Sequence, residues 1–372
     1  MPTPRILLTG CGSPASQNFL GCLRVAPDPF YVVGVDANQY HLEWGDLDAA
    51  YQAPMTSDPV YLDFLNHLCE MEKIDLIHGQ PDWEIAFLSA HRDRLSAASF
   101  LPSHRLIRRA QSKYTSACLW YHACLRTDVP ILIQGEGDLS RAAASFGLPF
   151  WLRATSGAGA RGSCKAESLD QARAWLDYWH LSGAEWDFMA QAYLPGREYA
   201  FQSLWYEGRL IASAARERLE FVFPQHAPSG VTSSPVVART VRDPTVNRAA
   251  TEAILSLDPR PHGVLGVDLK CDPDGQPRPT EVNAGRFFTT SLFFAEAGCN
   301  LPYHYVYLGL GRPAPDLPSY DAVPPDLYWI RHIDCGQVLV REGEWRAERL
   351  QPALTTAGLA DSETAPLPAH LR

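Results

Sequence analysis

Three side chains that carry oxygen ligands stand close together in the segment 263–286. Glu281 follows Asp268 by 13 residues, and Asn283 lies two residues after Glu281. The residues on either side of the turn-like sequence Asp272–Gly275 alternate as two strands of a hairpin do, so Asp268 and Glu281 can share one face. Mg²⁺ prefers hard oxygen ligands and takes one or two carboxylates together with nucleotide phosphates. The hairpin is therefore interpreted as a floor for a metal ion and phosphates, and the alternative is an acidic surface hairpin.

A basic residue and a loop of small residues precede this hairpin. Residues 149–153 alternate as a short apolar strand that ends in Arg153, and the loop follows at once. Small side chains let backbone N–H groups approach phosphate oxygens closely. The Gly-Lys-Ser/Thr sequence of a Walker A loop is missing, and a flexible surface loop between a strand and a helix remains the alternative. The loop residues with this predicted role are Gly157, Ala158, Gly159 and Gly162.

The order of these segments resembles that of the ATP-grasp superfamily. Lys113 comes first, then Arg153 with its loop, then an apolar segment that leads through a turn to Glu198, and finally the 263–286 hairpin. The glycine-rich segment Gly10–Ser13 and the region of the loop are most similar to carbamoyl-phosphate-synthetase-like members of this superfamily. The resemblance predicts both the fold and the roles of individual residues.

For the nucleotide, the resemblance implies roles for six residues. Lys113 and Arg153 match the two basic residues of the family, of which the second contacts the α- and β-phosphates. Gln191 stands where many members have a Glu that faces the adenine amino group. The backbone of two following residues matches the adenine hinge, and an acid beyond the turn matches the ribose-binding acid. The hinge residues are Ala192 and Leu194, and the ribose-binding acid is Glu198.

The resemblance also implies a metal site and two catalytic cations. Asp268, Glu281 and Asn283 match the metal positions of the family. Arg286 follows Ala-Gly where many members have Asn-Pro-Arg, with one residue inserted before the arginine. Arg286 is expected to face the substrate carboxylate or its phosphorylated form, and Arg153 to neutralise the transferred charge. The implied cofactors are ATP and Mg²⁺, with Mn²⁺ as an alternative to magnesium.

The composition argues against several classes of protein. The chain has 372 residues, 46% of them hydrophobic, and a formal net charge of −10. No run of Lys or Arg marks a nucleic-acid or membrane-surface binder, so the predicted partners are small molecules. No apolar run approaches the roughly 18 residues of a membrane-spanning helix, and a cytoplasmic protein is expected. The nine cysteines form no Cys-x-x-Cys pair, which argues against a zinc ribbon or a disulfide framework.

Strand-like and helix-like segments alternate along the first hundred residues, which predicts an α/β fold with a doubly wound parallel sheet. The resemblance adds a two-part ATP-grasp fold of α+β type, and a proline-rich linker leads to a small C-terminal β extension. The predicted domains are 1–102, 103–190 with the loop, 191–312 with the Mg/ATP and substrate site, and 313–372. Predicted elements include a strand at 74–78, a helix at 112–125, a strand at 210–216 and a hairpin at 327–333 and 337–341.

A dinucleotide site competes for the start of the chain. Gly10–Ala15 fits the Gly-x-Gly-x-x-Gly/Ala fingerprint, and Asp36 ends the next strand, where a ribose-binding acid belongs. An NAD(P)-dependent oxidoreductase, however, gives no reason for the loop after Arg153. In carbamoyl-phosphate-synthetase-like proteins the N-terminal domain borders the substrate pocket instead. Gln80–Glu84 is placed to do the same, the alternative being a helix N-terminus capped by Asp82.

The predicted reaction is ATP-dependent ligation of a carboxylate to an amine, which forms an amide or peptide-type bond through an acyl phosphate. The alternatives are a carbamoyl-phosphate-type carboxylate kinase, a nucleotide-binding sensor and the oxidoreductase, and a homodimer is compatible with the resemblance. Arg216 and Arg218 flank Glu217 on a strand, so one of the two is expected to point inward, against the alternative of a solvated, salt-bridged strand. The candidate substrate residues are Arg216, Arg218 and Ser291, together with the segment 229–234. The apolar pairs Phe287–Phe288 and Phe293–Phe294 are candidates for the lining of an acyl pocket, and the alternative is core packing.

Overall fold

The computed structural model describes residues 2–126, 128–157, 161–226, 235–332 and 337–343. The predicted site residues Ala158 and Gly159 and the substrate segment 229–234 lie outside these ranges, as does the end of the chain from residue 344. Within the described ranges the chain forms three β-sheets with helices packed on them. None of the helices in these ranges is both long enough and apolar enough to cross a membrane.

The N-terminal sheet is parallel and is covered by helices on both faces. Its strands are β1 (Arg5–Thr9), β2 (Tyr31–Asp36), β3 (Ala49–Gln52) and β4 (Leu76–Gly79), and its helices are α1 (Pro14–Arg24), α2 (Tyr61–Met71) and α3 (Asp82–Ala90). The strand order is β3-β2-β1-β4. Alternate residues of β1 belong to two different cores, because Leu7 packs with α2 and α3 whereas Leu8 packs with α1. The doubly wound prediction is thus confirmed.

The second sheet has four strands and carries the glycine-rich loop. Its strands are β5 (Ile131–Ile133), β6 (Phe150–Ala154), β7 (Cys164–Ala166) and β8 (Phe188–Ala192), with α4 (His104–Gln111) and α5 (Lys113–His122) before them and α6 (Glu136–Phe146) and α7 (Leu169–Leu181) between them. The order is β5-β8-β6-β7, and all pairs are antiparallel. The loop joins β6 to β7, so Arg153 on β6 lies directly before it.

The third sheet has seven antiparallel strands in the order β13-β12-β9-β10-β11-β14-β15. Its strands are β9 (Glu198–Tyr206), β10 (Arg209–Phe221), β11 (Pro235–Val241), β12 (Gly263–Cys271), β13 (Pro277–Ala284), β14 (Leu327–Arg331) and β15 (Gln337–Arg341). Three further helices complete the fold, namely α8 (Pro244–Leu257), α9 (Ser291–Glu296) and α10 (Leu301–Gly309). Helix α8 packs on β12 and β13, while α9 and α10 join the core around α1.

Several predicted boundaries were wrong, each for a local reason. The strand predicted at 74–78 begins at Leu76, because the backbone N–H of Ile74 still bonds to Cys69 at the end of α2. The helix predicted at 112–125 covers only Lys113–His122. Ser112 caps its start, since the Ser112 side chain accepts from the N–H of Thr115. The strand predicted at 210–216 runs to Phe221, because it pairs with β9 on one edge and β11 on the other.

The C-terminal hairpin extends the third sheet. Strand β14 pairs with β11, where Trp329 lies opposite Ala238, and β15 then pairs with β14. The proline-rich stretch before it contains no helix or strand but is held along the sheet, since Ala322 donates to Ser213 and Asp326 donates to Thr240. The predicted extension is therefore part of the sheet that also contains Asp268.

Candidate active site

A row of residues across the third sheet brings the chemistry together. Residues directly opposite each other on antiparallel strands point to the same face. Arg216 on β10 lies opposite Ala200 on β9, Ala200 opposite Asp268 on β12, and Asp268 opposite Glu281 on β13. The small side chain of Ala200 leaves space between the cation and the two carboxylates. The predicted pairing of Asp268 with Glu281 is what the register shows.

The neighbouring rows supply the rest of this face. One row contains Arg218, Glu198 and Lys270, and the row on the other side contains Gln202, Gly266 and Asn283. The ring of Phe288 packs directly on Gly266. A larger residue would not fit there, because its Cβ would come within 2.6 Å of Phe288 Cζ. Most side chains of the three rows line one cavity of about 900 Å³, and the exceptions are the buried Ala200, Gln202 and Gly266.

The predicted metal ligands are held by the predicted phosphate-binding cations. The Glu281 carboxylate lies 3.4 Å from Lys113 Nζ and 3.1 Å from Arg153 Nη2. Asp268 Oδ1 accepts from Arg218 Nη2 at 2.6 Å, and the side-chain oxygen of Asn283 accepts from a guanidinium. These acids and cations therefore neutralise one another in pairs.

Burial and charge shift the pKa values of these groups in different directions. Burial alone would raise the pKa of Glu281, but the charges of Lys113 and Arg153 outweigh it and lower that pKa to about 2. Burial raises the pKa of Asp268, and it lowers the pKa of Lys113 and of Arg153 despite the nearby carboxylate of Glu281. The surroundings of Glu281 thus favour its ionised form, whereas those of Asp268 favour its protonated form.

The residues present fit a divalent cation that is shared with phosphates. The predicted set is two carboxylates and one amide oxygen, which are ligands that Mg²⁺ accepts. No cluster of three or more His, Cys, Asp or Glu side chains in the described part of the chain has the geometry of a closed metal site. The Nε atoms of Arg153 and Arg218 are buried without a hydrogen-bond partner. An anionic ligand that reached these donors would satisfy them and would complete the coordination of a metal.

The predicted adenine-binding residues lie together at one end of the cavity. Gln191 on β8 is 4% exposed and lies opposite Trp151 on β6, and Ala192 and Leu194 line the same wall. The N–H of Ala192 donates to Asp128 Oδ2 at 3.2 Å. Sequence reasoning missed Trp151, although its position two residues before Arg153 on a strand places both on one face.

Glu198 has a partner that the sequence did not indicate. Its carboxylate lies 2.5 Å from Lys270 Nζ, and the register places the two residues opposite each other on β9 and β12. Both side chains line the cavity. A ribose hydroxyl that bound to Glu198 would have to share this carboxylate with Lys270.

The described ends of the glycine-rich loop are tied to the helix that carries Lys113. The Lys113 side chain donates to the carbonyl of Gly157, and its backbone N–H donates to Thr155 at 2.8 Å. Gly157 has a φ of +90°, which glycine adopts without strain. At Gly162 a Cβ would come within 3.1 Å of Ala154, so this glycine also permits close packing of the loop on β6.

Arg286 contacts two side chains that the sequence did not indicate as its partners. Its Nε lies 3.0 Å from Asp82 Oδ1, and its Nη2 donates to the side chain of Asn283. Asp82 lies in the first turn of α3, but the N-cap of that helix is Pro81, so the alternative of a cap by Asp82 is wrong. The segment Gln80–Glu84 lines the cavity, as the resemblance implied.

The substrate candidates divide into two groups. Arg216 and Arg218 both line the cavity, because residues two apart on a strand share a face, so the expectation that only one points inward was wrong. Glu217 points to the opposite face and lies 2.7 Å from Arg239. Ser291 is 1% exposed at the start of α9 and does not line the cavity. Its substrate role stays a prediction, which this placement does not support, because α9 packs the Ser291 side chain against the core around α1.

The glycine-rich start of the chain packs against protein. A Cβ at Gly10 would come within 2.5 Å of Pro81, and one at Gly12 would come within 2.2 Å of His41. The Asp36 carboxylate accepts from the N–H of Gly12 at 3.2 Å and lies 3.3 Å from His41 Nδ1. These contacts account for both glycines and for Asp36 without a dinucleotide, and they argue against the oxidoreductase.

Known structures with a similar fold were found at low sequence identity. An L-amino acid ligase from Bacillus licheniformis is 13% identical, with a TM-score of 0.65 over 88% of this chain and 79% of that chain. An N5-carboxyaminoimidazole synthetase from Staphylococcus aureus in complex with ADP is 15% identical, with a TM-score of 0.66 over 88% and 82%.

A third structure is the biotin carboxylase domain of a 2-oxoglutarate carboxylase from Hydrogenobacter thermophilus, in complex with MgADP, ADP and bicarbonate. It is 15% identical, with a TM-score of 0.65 over 88% of this chain and 74% of that chain. Neither a protein-family model nor a curated protein sequence matches the chain. The chain thus has the fold of the ATP-grasp ligases, and the narrower resemblance to carbamoyl-phosphate-synthetase-like members stays a prediction.

Proposed function

We propose that this protein is an ATP-dependent ligase that joins a carboxylate to an amine through an acyl phosphate. The observation that carries the proposal is the row of Arg216, Asp268 and Glu281 on one face of the sheet, with Lys113 and Arg153 paired to Glu281. Oxygen ligands for a metal and cations for phosphates meet there in one cavity. Two similar structures are complexes with ADP or MgADP, which supports a nucleotide as a ligand of this fold.

Lys113 and Arg153 would hold the phosphates of ATP, since both are buried and both reach the wall that Glu281 forms. Mg²⁺ held by Asp268, Glu281 and Asn283 would neutralise charge on the β- and γ-phosphates. Trp151 and the hinge around Ala192 would enclose the adenine. The contribution of the protein is positioning and charge neutralisation, which dominate catalysis of phosphoryl transfer.

In the first step, a carboxylate oxygen attacks the γ-phosphorus and a new P–O bond forms. The bond from the γ-phosphorus to the bridging oxygen breaks, and ADP leaves with that electron pair. In the second step, the amine nitrogen attacks the carbonyl carbon, the C–O bond to phosphate breaks, and inorganic phosphate leaves. The amine proton passes to solvent or to a carboxylate of the cavity wall. Arg153 and Arg286 would neutralise negative charge on the group in transit.

The opposite wall of the cavity suits an amine. It is formed by the N-terminal sheet, and the carboxylates of Asp36, Asp82 and Glu84 line it. Glu84 is 6% exposed and accepts from Tyr61 at 2.6 Å and from Thr56 at 2.8 Å. Acidic side chains on one wall and arginines on the other fit an amine and an anionic carboxylate that approach each other between them. An amine that binds as the ammonium ion would first lose one proton to solvent or to a carboxylate of this wall, which frees the nitrogen lone pair for attack.

The test is a measurement of ADP release from MgATP with a panel of carboxylates, each with and without added amines. ADP release that requires both a carboxylate and an amine is the expected result. Release with a carboxylate alone indicates the carboxylate kinase, and binding of MgATP without any release indicates a nucleotide sensor. Absence of any heat of MgATP binding in calorimetry contradicts the proposal. The same panel, followed by NAD(P)H absorbance, tests the oxidoreductase.

A further inference from the structure

Arg216 differs from the other buried cations of the cavity wall. Its side chain is 1% exposed, yet its Nε and Nη1 atoms have no hydrogen-bond partner among the described residues. Each of the other buried or partly buried Lys and Arg side chains that line the cavity lies within ion-pair distance of a carboxylate. These pairs are Lys113 and Arg153 with Glu281, Arg218 with Asp268, Lys270 with Glu198, Arg286 with Asp82, and Arg126 with Asp128.

The surroundings of Arg216 are positive. Arg218 and Arg331 repel its charge, and Asp268, which attracts it, already accepts from Arg218. Burial, with this repulsion, lowers the pKa of Arg216. Arg331 is fixed nearby because its Nη1 donates to the carbonyl of Thr289 at 2.6 Å. The cavity wall around Arg216 therefore has positive charge that no described carboxylate balances.

The ring of Phe288 forms the surface beside this guanidinium. Arg216 Cζ lies 5.4 Å from the centre of the ring, and Phe288 and Thr289 both line the cavity. The cation–π contact offsets part of the cost of burial but leaves the N–H donors unsatisfied. A buried guanidinium with free donors is costly, and a planar anion with two oxygens is the partner that its fork matches best.

We infer that Arg216, and not Arg286, binds the carboxylate that the enzyme activates, with Phe288 packed beside the carbon skeleton next to it. This inference rests on the proposed function and assigns the carboxylate within it. Arg286 is a poorer candidate because the Asp82 carboxylate, 3.0 Å from its Nε, already balances its charge and Asn283 accepts from its Nη2, although that Nε makes no hydrogen bond. Arg216 shares a row with Asp268 and Glu281, so a carboxylate held there lies next to the acids that would face the γ-phosphate.

The first test compares melting temperatures of ligand-free proteins. Arg216→Met keeps the length of the side chain and removes the charge, and we expect it to melt above the wild type because a buried unpaired cation is removed. Arg239→Met is the matched control on the next strand. It removes the partner of Glu217 and is expected to melt below the wild type. An Arg216→Met protein that melts below the wild type shows a structural partner for Arg216 and overturns the inference.

The second test uses the standard L-amino acids and their uncharged carboxamides as probes, with Mg²⁺ and a non-hydrolysable ATP analogue present. At least one carboxylate is expected to raise the melting temperature of the wild type and of Arg239→Met, and its carboxamide is not. Arg216→Met should lose this response, and Arg216→Lys should keep a weaker one. A response that Arg216→Met retains, or that no carboxylate elicits from the wild type, overturns the inference.

The third test separates a carboxylate from a phosphate of ATP as the anion at Arg216. For an acid that supports ADP release, Arg216→Met should raise its KM by about 100-fold. The Kd for MgATP should stay within about threefold of the wild type, since a factor of ten corresponds to the loss of a whole interaction. An equal loss of MgATP affinity assigns Arg216 to a phosphate and contradicts the inference. If the wild type releases no ADP with any acid, the proposed function fails, while the melting comparisons still decide the role of Arg216.

Discussion

At the scale of the residue, the candidate site consists of ion pairs between the carboxylates and the cations of the cavity. Glu281 is paired with Lys113 and Arg153, and Asp268 with Arg218, so the groups proposed for a metal neutralise cations proposed for the phosphates and for the substrate. Removing one partner of such a buried pair leaves the others uncompensated. Glu281, with two cationic partners, is therefore the residue at which a single substitution affects both stability and chemistry.

Glu281→Gln tests this at a single carboxylate. The folded pKa of about 2 lies below the usual 4.5, so the ionised form stabilises the fold above about pH 4.5. That stabilisation, about 3 kcal/mol for a shift of this size, is lost as the pH falls toward 2. Urea unfolding at several pH values should show the wild type more stable than Glu281→Gln at pH 7, with the difference disappearing in acid. Turnover of the variant should fall by about 100-fold.

Glu136→Gln is the control for this substitution. Glu136 also pairs with an arginine, Arg173, but its side chain is 71% exposed, so the pair is screened by solvent. Unfolding curves of Glu136→Gln should match those of the wild type at every pH. If Glu281→Gln behaves like this control, Glu281 does not stabilise the fold through its charge. The pKa of Asp268, which lies opposite Glu281, is shifted in the other direction: burial favours the protonated form of Asp268 and raises its pKa.

At the scale of the element, the face of the third sheet depends on small residues between the charged ones. Ala200 lies between Arg216 and Asp268, and the ring of Phe288 packs on Gly266. The N–H of Phe288 also donates to Gln202 Oε1 at 3.3 Å, which fixes the segment after β13 over the sheet. A larger side chain in this face would move the segment that lines the substrate end of the cavity.

Gly266→Ala should therefore affect both packing and activity. The added Cβ would lie 2.6 Å from the Phe288 ring, so the ring must move, and such overpacking costs about 1–3 kcal/mol. The midpoint of urea unfolding should fall, and the KM for the carboxylate should rise because Phe288 lines the cavity. Gly137→Ala in α6 is the matched control, since its Cβ would meet no atom within 4 Å. If Gly266→Ala and Gly137→Ala had equal midpoints of urea unfolding, the segment that contains Phe288 would be able to move without loss of stability.

At the scale of the whole molecule, the cavity is built by all three sheets. Strand β2 of the N-terminal sheet contributes Asp36, and helix α3, which packs on that sheet, contributes Asp82. The second sheet contributes Trp151 and Arg153, and the third the row that ends in Glu281. The ion pair between Asp82 and Arg286 joins α3 to the segment after β13. A ligand in the cavity would contact all three units, so its binding should stabilise the entire fold.

MgATP should raise the melting temperature of the whole chain in one transition. At a concentration of about 100 times its Kd, a ligand that binds only the folded state adds about 2.7 kcal/mol. ATP with a chelator should give a smaller shift, because its phosphates would then face the carboxylates of Asp268 and Glu281 without a metal between them. In Glu281→Gln the two shifts should become similar. If ATP raised the melting temperature of the wild type equally with and without Mg²⁺, the proposed metal site would be contradicted.

Local patterns predicted a large part of the architecture. The Asp272–Gly275 turn between alternating residues predicted the hairpin of β12 and β13, since such a turn leaves few other pairings. The alternation also predicted that Asp268 and Glu281 face each other. Helix α8 was not predicted, although Asp243 at its N-cap and Pro244 at its first position are a helix-start signal in the sequence. Strand β11 was not predicted either.

The amino-acid sequence by itself determined which charged groups exist, their order along the chain, and the periods that place neighbours on one face. Only the tertiary structure decided which of them pair. Glu198 with Lys270 and Arg153 with Glu281 lie 72 and 128 residues apart. The tertiary structure also decided that Arg216 has no described acidic partner, while Arg286 has one. The reason is physical, because side-chain periodicity is local, whereas an ion pair in a cavity depends on the register of strands that meet only in the folded chain.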